Sequence, residues 1–190
     1  MRMIKNGIVL FVILWILLGL GYPLFVTAIA KIAFPWQADG SLIKDGTGKT
    51  IGSALIGQPF SDPGYFWSRP SATANFPYNP LASGGSNLGP TNEKLIEQIS
   101  ERKKNLLDSG INSTVPSDLV MTSASGLDPH ISIEAALAQV PRVAKTRGLD
   151  EERVQKLVLT NLDNQLFGFI SSRYVNVLKL NLALDKEDGK

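Results

Sequence analysis

A nucleophile, a general base or a metal cluster needs particular side chains, and this chain offers few of them. It has no cysteine and a single histidine, His130, which excludes thiolate chemistry, Cys-ligated metal and a two-histidine zinc site. A Ser-His-Asp hydrolase would have to be built on His130 within Asp128-Pro129-His130-Ile131-Ser132. No G-x-S-x-G elbow accompanies it, and the same residues read as a helix start with Asp128 as cap and Pro129 in the first turn. Gly48-Lys49-Thr50 has the form of the end of a P-loop. The first glycine of that motif would fall on Ile43, however, and no strand-to-helix setting surrounds it. Asp45 to Thr50 also holds the letters of an Asp-Lys-Thr-Gly-Thr aspartyl-phosphate motif, but in the wrong order, so a polar turn is expected there. No catalytic residue and no metal ligand is predicted. The 19 basic and 17 acidic residues, net charge +2, are spread along the chain, which gives no basic face for nucleic acid.

Two other segments carry more information. From Gly64 to Asn92 the only charged side chain is Arg69, while Pro70, Pro77, Pro80 and Pro90 forbid long regular elements and Tyr65, Phe66, Trp67, Phe76 and Tyr78 supply apolar mass. A long irregular segment in a compact domain is functional or disordered, and five aromatics argue against disorder. Two roles stay open. An uncharged aromatic surface suits the core of a partner interface, with Tyr65, Trp67, Arg69 and Tyr78 as docking residues, or the loop simply wraps its own core. Within it, Ser83-Gly84-Gly85 opens a Gly-rich run whose amides and hydroxyls either bind an anion or pack against another backbone.

The elements that must position these segments begin with a membrane span. No charged residue lies between Lys5 and Lys31, and the apolar run from Asn6 to Ala30 reaches about 37 Å as a helix, against a hydrocarbon core of about 30 Å. Arg2, Lys5 and the free amine precede it, whereas Lys31 is the only cation before Lys44. The positive-inside rule therefore keeps the amino terminus in the cytoplasm and places the following domain outside. A cleaved signal peptide is the alternative, because Ala28-Ile29-Ala30 reads as an A-x-A box, but the run is well beyond a signal h-region of about 7–15 residues.

Beyond the span, Ile51 to Phe60 reads as a strand ended by Pro59 and the Asp62-Pro63-Gly64 turn. A helix is predicted from Thr91 as cap to Gly110, with Leu95, Ile96, Ile99, Leu106 and Leu107 at helical spacing. A second follows Asp128-Pro129 and runs toward Gly148, kinked or split at Pro141. A third begins at Asp150 and aligns Val154, Leu157, Val158, Asn161 and Leu162. Tyr174 to Asp185 alternates as a strand whose apolar phase slips near Val177-Leu178, where a bulge is expected. The expected fold class is an α+β extracytoplasmic domain, residues 34–190, anchored by one N-terminal transmembrane helix, residues 1–33.

Several runs in one order resemble a known family: Gly52 to Gln58 (GSALIGQ), Tyr65-Phe66 with Arg69 to Ala72, Ser83 to Asn92 (SGGSNLGPTN), Val115-Pro116 with Asp118 to Val120, Ser125 to Ser132 (SGLDPHIS), and Val175-Asn176 with Leu180 to Asp185. Together they are similar to the C subunit of the bacterial Kdp-type potassium-transporting ATPase. The stretch from Phe167 to Ser172 and the Tyr174 that follows Arg173 depart from the pattern. The resemblance implies a non-catalytic subunit of the plasma (inner) membrane, single-pass, partnered by a channel-like potassium-translocating subunit and a catalytic P-type ATPase subunit. Its implied role is to assist assembly and raise the ATP affinity of the catalytic subunit. No cofactor is bound firmly. ATP contact, if made, would involve Ser83, Gly84, Gly85 and Gln139, although ATP is hydrolysed inside and the domain is placed outside. The competing reading is an anchored extracytoplasmic binding or scaffold domain with another partner.

Overall fold

The computed structural model describes residues 2–111, 114–163 and 173–187. The chain divides into two compact units, Met1–Ser53 and Ala54–Lys190.

The first unit is led by helix α1, Arg2–Ala33, which is long and apolar enough to cross a membrane and buries none of its side chains within the chain. Its turn widens at Leu17–Gly21, where the Tyr22 amide donates to the Leu17 carbonyl five residues back. Pro23 explains the widening. It has no amide to give, and its ring crowds the carbonyl four residues earlier, so a looser turn ahead of it relieves the clash. A helical turn, Pro35–Ala38, then leads to an antiparallel hairpin of β1, Leu42–Lys44, and β2, Thr50–Ser53. The hairpin is closed by Asp45, whose Oδ1 accepts from the amides of Thr47 and Lys49 at 2.9 Å each. The residues that imitate phosphate motifs thus form a polar turn. The strand expected over Ile51 to Phe60 stops at Ser53.

The second unit holds helices α2, Glu93–Asp108, α3, Ile133–Arg147, α4, Glu151–Thr160, and α5, Val177–Glu187, with a three-stranded antiparallel sheet of β3, His130–Ser132, β4, Leu162–Asp163, and β5, Tyr174–Asn176. The strand order is β3-β5-β4. Its core gathers Phe66, Ile111, Ile131, Val143, Val154, Val158, Val175, Leu180 and Leu184, each at most 2% exposed. Mixed helix and sheet behind a single long apolar helix is the architecture the sequence leads one to expect.

Several boundaries differ from that expectation. Helix α2 is capped by Asn92, which accepts from the Lys94 amide, not by Thr91, and it buries Leu95 and Leu106 while Ile96 and Leu107 face outward. Asp128-Pro129 does not start a helix: strand β3 intervenes, and Ser132 caps α3 through the Ala135 amide at 3.0 Å. Pro141 neither splits nor ends α3, because Gln139, Val140, Arg142 and Val143 are buried on either side of it. Their packing holds the turn against a Pro cost of about 3 kcal/mol. Leu162 leaves the α4 stripe and enters β4.

The largest correction concerns the last element. The phase slip at Val177 marks no bulge but a change from strand to helix. Val177, Leu180, Asn181 and Leu184 repeat at the i, i+3, i+4, i+7 spacing of a buried helical face, and all four are at most 2% exposed. Asn176 makes the switch by accepting the Lys179 amide at 3.1 Å as an N-cap. The atypical stretch from Phe167 to Ser172 lies outside the described residues.

Truncating this face tests the core. Leu180→Ala is expected to lower unfolding stability by about 2–5 kcal/mol, and Leu81→Ala, at a position 95% exposed, to stay within about 0.5 kcal/mol. Denaturant unfolding of the chain in detergent, followed by tryptophan fluorescence, measures both.

Candidate functional site

The loop that the sequence singles out, charged only at Arg69, is fastened from behind by helical side chains. Phe66 lies fully buried, and its amide and carbonyl are bonded by the Asn181 side chain of α5, at 2.8 Å to Oδ1 and 3.0 Å from Nδ2. The next residue, Trp67, is held in the same way by Gln139 of α3, at 2.7 Å to Oε1 and 3.2 Å from Nε2. Each carboxamide imitates a neighbouring strand, so an isolated extended segment satisfies its buried backbone without a sheet.

Gln139 is wholly committed to this task. It is 0% exposed, its Nε2 also donates to Ala135 O at 3.1 Å, and its Oε1 also accepts from Arg142 at 2.7 Å. The Arg142 guanidinium donates in addition to the carbonyls of Pro63 and Tyr65 and sits 3.9 Å from the centre of the Trp67 ring. Burial lowers its pKa to about 10, the Asp62 charge opposing. Arg147 repeats the pattern over Tyr65, 4.4 Å from the ring centre, while bonding Gly64 O at 2.7 Å and Asp185 at 2.8 Å.

Further along, Arg69 pairs with Asp128 at 3.0 Å, and Asp128 also accepts the His130 amide at 3.0 Å. Burial alone would raise the Asp128 carboxyl, but hydrogen bonds from His130 and the Arg69 charge outweigh it and hold the group below the usual carboxylate range. Tyr78 is 7% exposed, and its hydroxyl donates to Arg69 O. Burial pushes that phenol up to about 12. Tyr78 adopts a φ of +59° over Gly57, where an added Cβ would lie 2.3 Å from the ring and 2.8 Å from Asp128 O. Only glycine fits beneath it.

The four residues read as docking candidates therefore differ in place: Tyr78 is inside, Tyr65, Trp67 and Arg69 are half-buried, and the outward apolar side chains of the loop are Phe76, 55% exposed, and Leu81, 95% exposed. Of the four proposed nucleotide contacts, Ser83 donates to Ser125 O at 3.1 Å and the Gly84 amide to the same oxygen at 2.9 Å. Gly85 backs onto Ala124 O, which would lie 3.0 Å from a Cβ added there. These are close backbone contacts, and they fall on a different segment from the partners of Gln139.

Beside Arg69 a groove of about 1340 Å³ runs along β3, with Leu137, Ala138 and Pro141 of α3 as apolar wall and Asp118, Glu134 and Arg173 among its polar groups. The outward amides of β3 are closed by carboxylates, His130 by Asp128 and Ser132 by Asp118 at 2.6 Å. Nothing in the residue pattern marks Arg142 or Asp118 as structural keys. For Asn181 the one available signal is its place among Val177, Leu178 and Leu184 at helical spacing.

One long apolar helix is thus followed by an α+β unit in which Asn181, Gln139 and Arg142 fasten a loop whose one charged side chain is Arg69. The family described as "K+-transporting ATPase, c chain" matches residues 4–186. The potassium-transporting ATPase KdpC subunit of Geotalea uraniireducens is 55% identical, with 98% of each chain covered. That of Geobacter metallireducens is 55% identical over the same shares, and that of Citrifermentans bemidjiense is 48% identical over the whole of both chains. The chain belongs to this KdpC family.

Removing either clamp strands two buried backbone groups. Gln139→Ala and Asn181→Ala should each cost about 1–3 kcal/mol of unfolding stability. Gly57→Ala should also destabilise, since its methyl group meets the Tyr78 ring and a backbone carbonyl. Asp128 supplies a pH test. Its depressed carboxyl contributes stability that is present above the ordinary carboxylate value and lost as pH falls through the lower folded one. The unfolding free energy of the wild type should therefore drop more steeply below about pH 4 than that of Asp128→Asn.

Proposed function

We propose that this chain is the single-pass, non-catalytic accessory subunit of a potassium-uptake ATPase complex. Its amino terminus lies in the cytoplasm and its α+β domain outside, at the plasma (inner) membrane. It assists assembly and raises the ATP affinity of the catalytic P-type subunit through protein contact. Family membership over residues 4–186 supports the complex, and the cations Arg2 and Lys5 ahead of an apolar span support the orientation. The observation that carries the docking role is the loop from Gly64 to Asn92. It is fixed by Asn181, Gln139 and Arg142 on its inner side and presents Phe76 and Leu81 on its outer side. A preorganised, uncharged surface loses little conformational entropy on docking.

The partner of this surface is the channel-like potassium-translocating subunit, met on its external face. Arg69 and Tyr78 shape the surface from within, and Tyr65 and Trp67 add their half-exposed edges. Direct contact with ATP has weaker support, because Gln139 is enclosed, the Gly84 amide is taken by Ser125 O and Gly85 backs onto Ala124 O. The effect on ATP is then transmitted by contact with the other subunits.

Purification of the intact chain in mild detergent should bring both large subunits with it. Phe76→Ser with Leu81→Ser should leave unfolding stability within about 1 kcal/mol while the copurified yield falls several-fold. Where enough complex still assembles, KM for ATP should rise more than kcat falls. Full yield from a normally folded double variant would sink the docking surface. Protease added to spheroplasts should digest the domain while Met1 to Ala30 remain attached to the membrane fraction; protection of the domain would reverse the orientation.

A further inference from the structure

We propose that His130 and Asn176 form a proton-operated clasp at the point where the chain enters the folded unit. The amide of Asn176 has a fixed orientation: Oδ1 accepts the Lys179 amide at 3.1 Å, and Nδ2 donates to Ala54 O at 2.8 Å. The group turned toward His130 Nε2, 3.5 Å away, is thus a donor. A donor in that place requires a lone pair on Nε2, so the neutral ring carries its proton on Nδ1, which faces Asp128 Oδ1 at 3.4 Å. The ring is kept in this pose by Tyr174, whose centroid lies 4.4 Å away.

A second proton reverses one side of the clasp. It puts an N–H on Nε2 opposite the N–H of Asn176, while the new positive charge is drawn to Asp128. Asn176 is 1% exposed and Ala54 6%, so an amide that turns away from the imidazolium finds no water. The turn deprives both the Ala54 carbonyl and the Lys179 amide of a partner. The His130 side chain is 31% exposed, which gives protons access.

Charged and polar groups surround the ring on every side. Asp128 from the preceding loop faces Nδ1 of the ring and is itself paired with Arg69. Asp118, Glu134 and Arg173 line the same groove as the ring. Tyr174 and Asn176 face the ring from β5. With the ring held between Tyr174 and Asp128, acid therefore sets two N–H groups face to face and loosens both the first residue of the folded unit, Ala54, and the first turn of α5. His130 is the only histidine, so imidazole nitrogen shifts report on it alone.

The test uses the full chain in detergent micelles. At about pH 8, nitrogen chemical shifts of the ring should report the Nδ1–H tautomer, and the Asn176 side-chain amide resonances should move with the ring's own titration. Protection of the Lys179 amide, corrected for intrinsic exchange, should fall roughly tenfold between about pH 8 and about pH 5.5, the change expected for loss of about one hydrogen bond. In His130→Gln that fall should vanish. An Nε2–H tautomer, stationary Asn176 resonances, or an equal fall in His130→Gln would each overturn the clasp. Should the variant fail to fold, the ring and Asn176 measurements on the wild type decide alone.

Discussion

Two carboxamides hold this domain in its shape. Asn181 and Gln139 reach from separate helices to consecutive residues of one loop and bond both backbone groups of each, Phe66 and Trp67. The constraint behind this is the accounting of buried peptide groups. A segment carrying a fully buried phenylalanine must bury its own amide and carbonyl, and without a strand alongside each lone group would cost about 1–3 kcal/mol. Side-chain amides solve the problem at two residues and fix the spacing of α3 and α5 around the loop as they do so.

The remaining polar interior follows from the same clamp. Arg142 is placed by Gln139 and closes the carbonyls of Pro63 and Tyr65 over the Trp67 ring, and Arg147 does likewise for Gly64 and Tyr65. Buried guanidinium groups are tolerated because carbonyl oxygens and aromatic faces replace the water they lose. Past Trp67 the loop is governed by Arg69, which ties Asp128 and through it the start of β3. The sheet is short, and its edge strand β3 would offer a template for pairing with other chains. Asp128 and Asp118 occupy the outward amides of His130 and Ser132 and so close that edge.

These features fasten the loop to the helices behind it at consecutive residues. The long apolar helix and the family relationship place the domain in a subunit of a membrane transport complex. The interior arginines and amides are explained by the backbone groups of the loop that they satisfy.

By itself the sequence determined the parts whose cause is local. An uncharged apolar run long enough to span a bilayer, the stripe of α4 with Val154 and Val158, the glycine that ends α3 and the polar turn at Asp45 were legible because each depends on residues within one or two turns of each other. The family pattern was legible for a different reason: its motifs recur in order along the chain. What only the tertiary structure decided are the matters settled by residues far apart. Whether Val177 onward continues as strand or turns helical depends on Asn176 capping Lys179 while bonding Ala54, 122 positions away in sequence. Whether Gln139 faces solvent or the core depends on Trp67, 72 positions away. Pro141 stays within a helix because burial on both sides outweighs its local preference. Local propensity is worth about 1 kcal/mol per residue or less, whereas a buried side chain or a stranded peptide group is worth more. Where the two disagree, the contact between distant residues wins, and the sequence read along its length cannot display it.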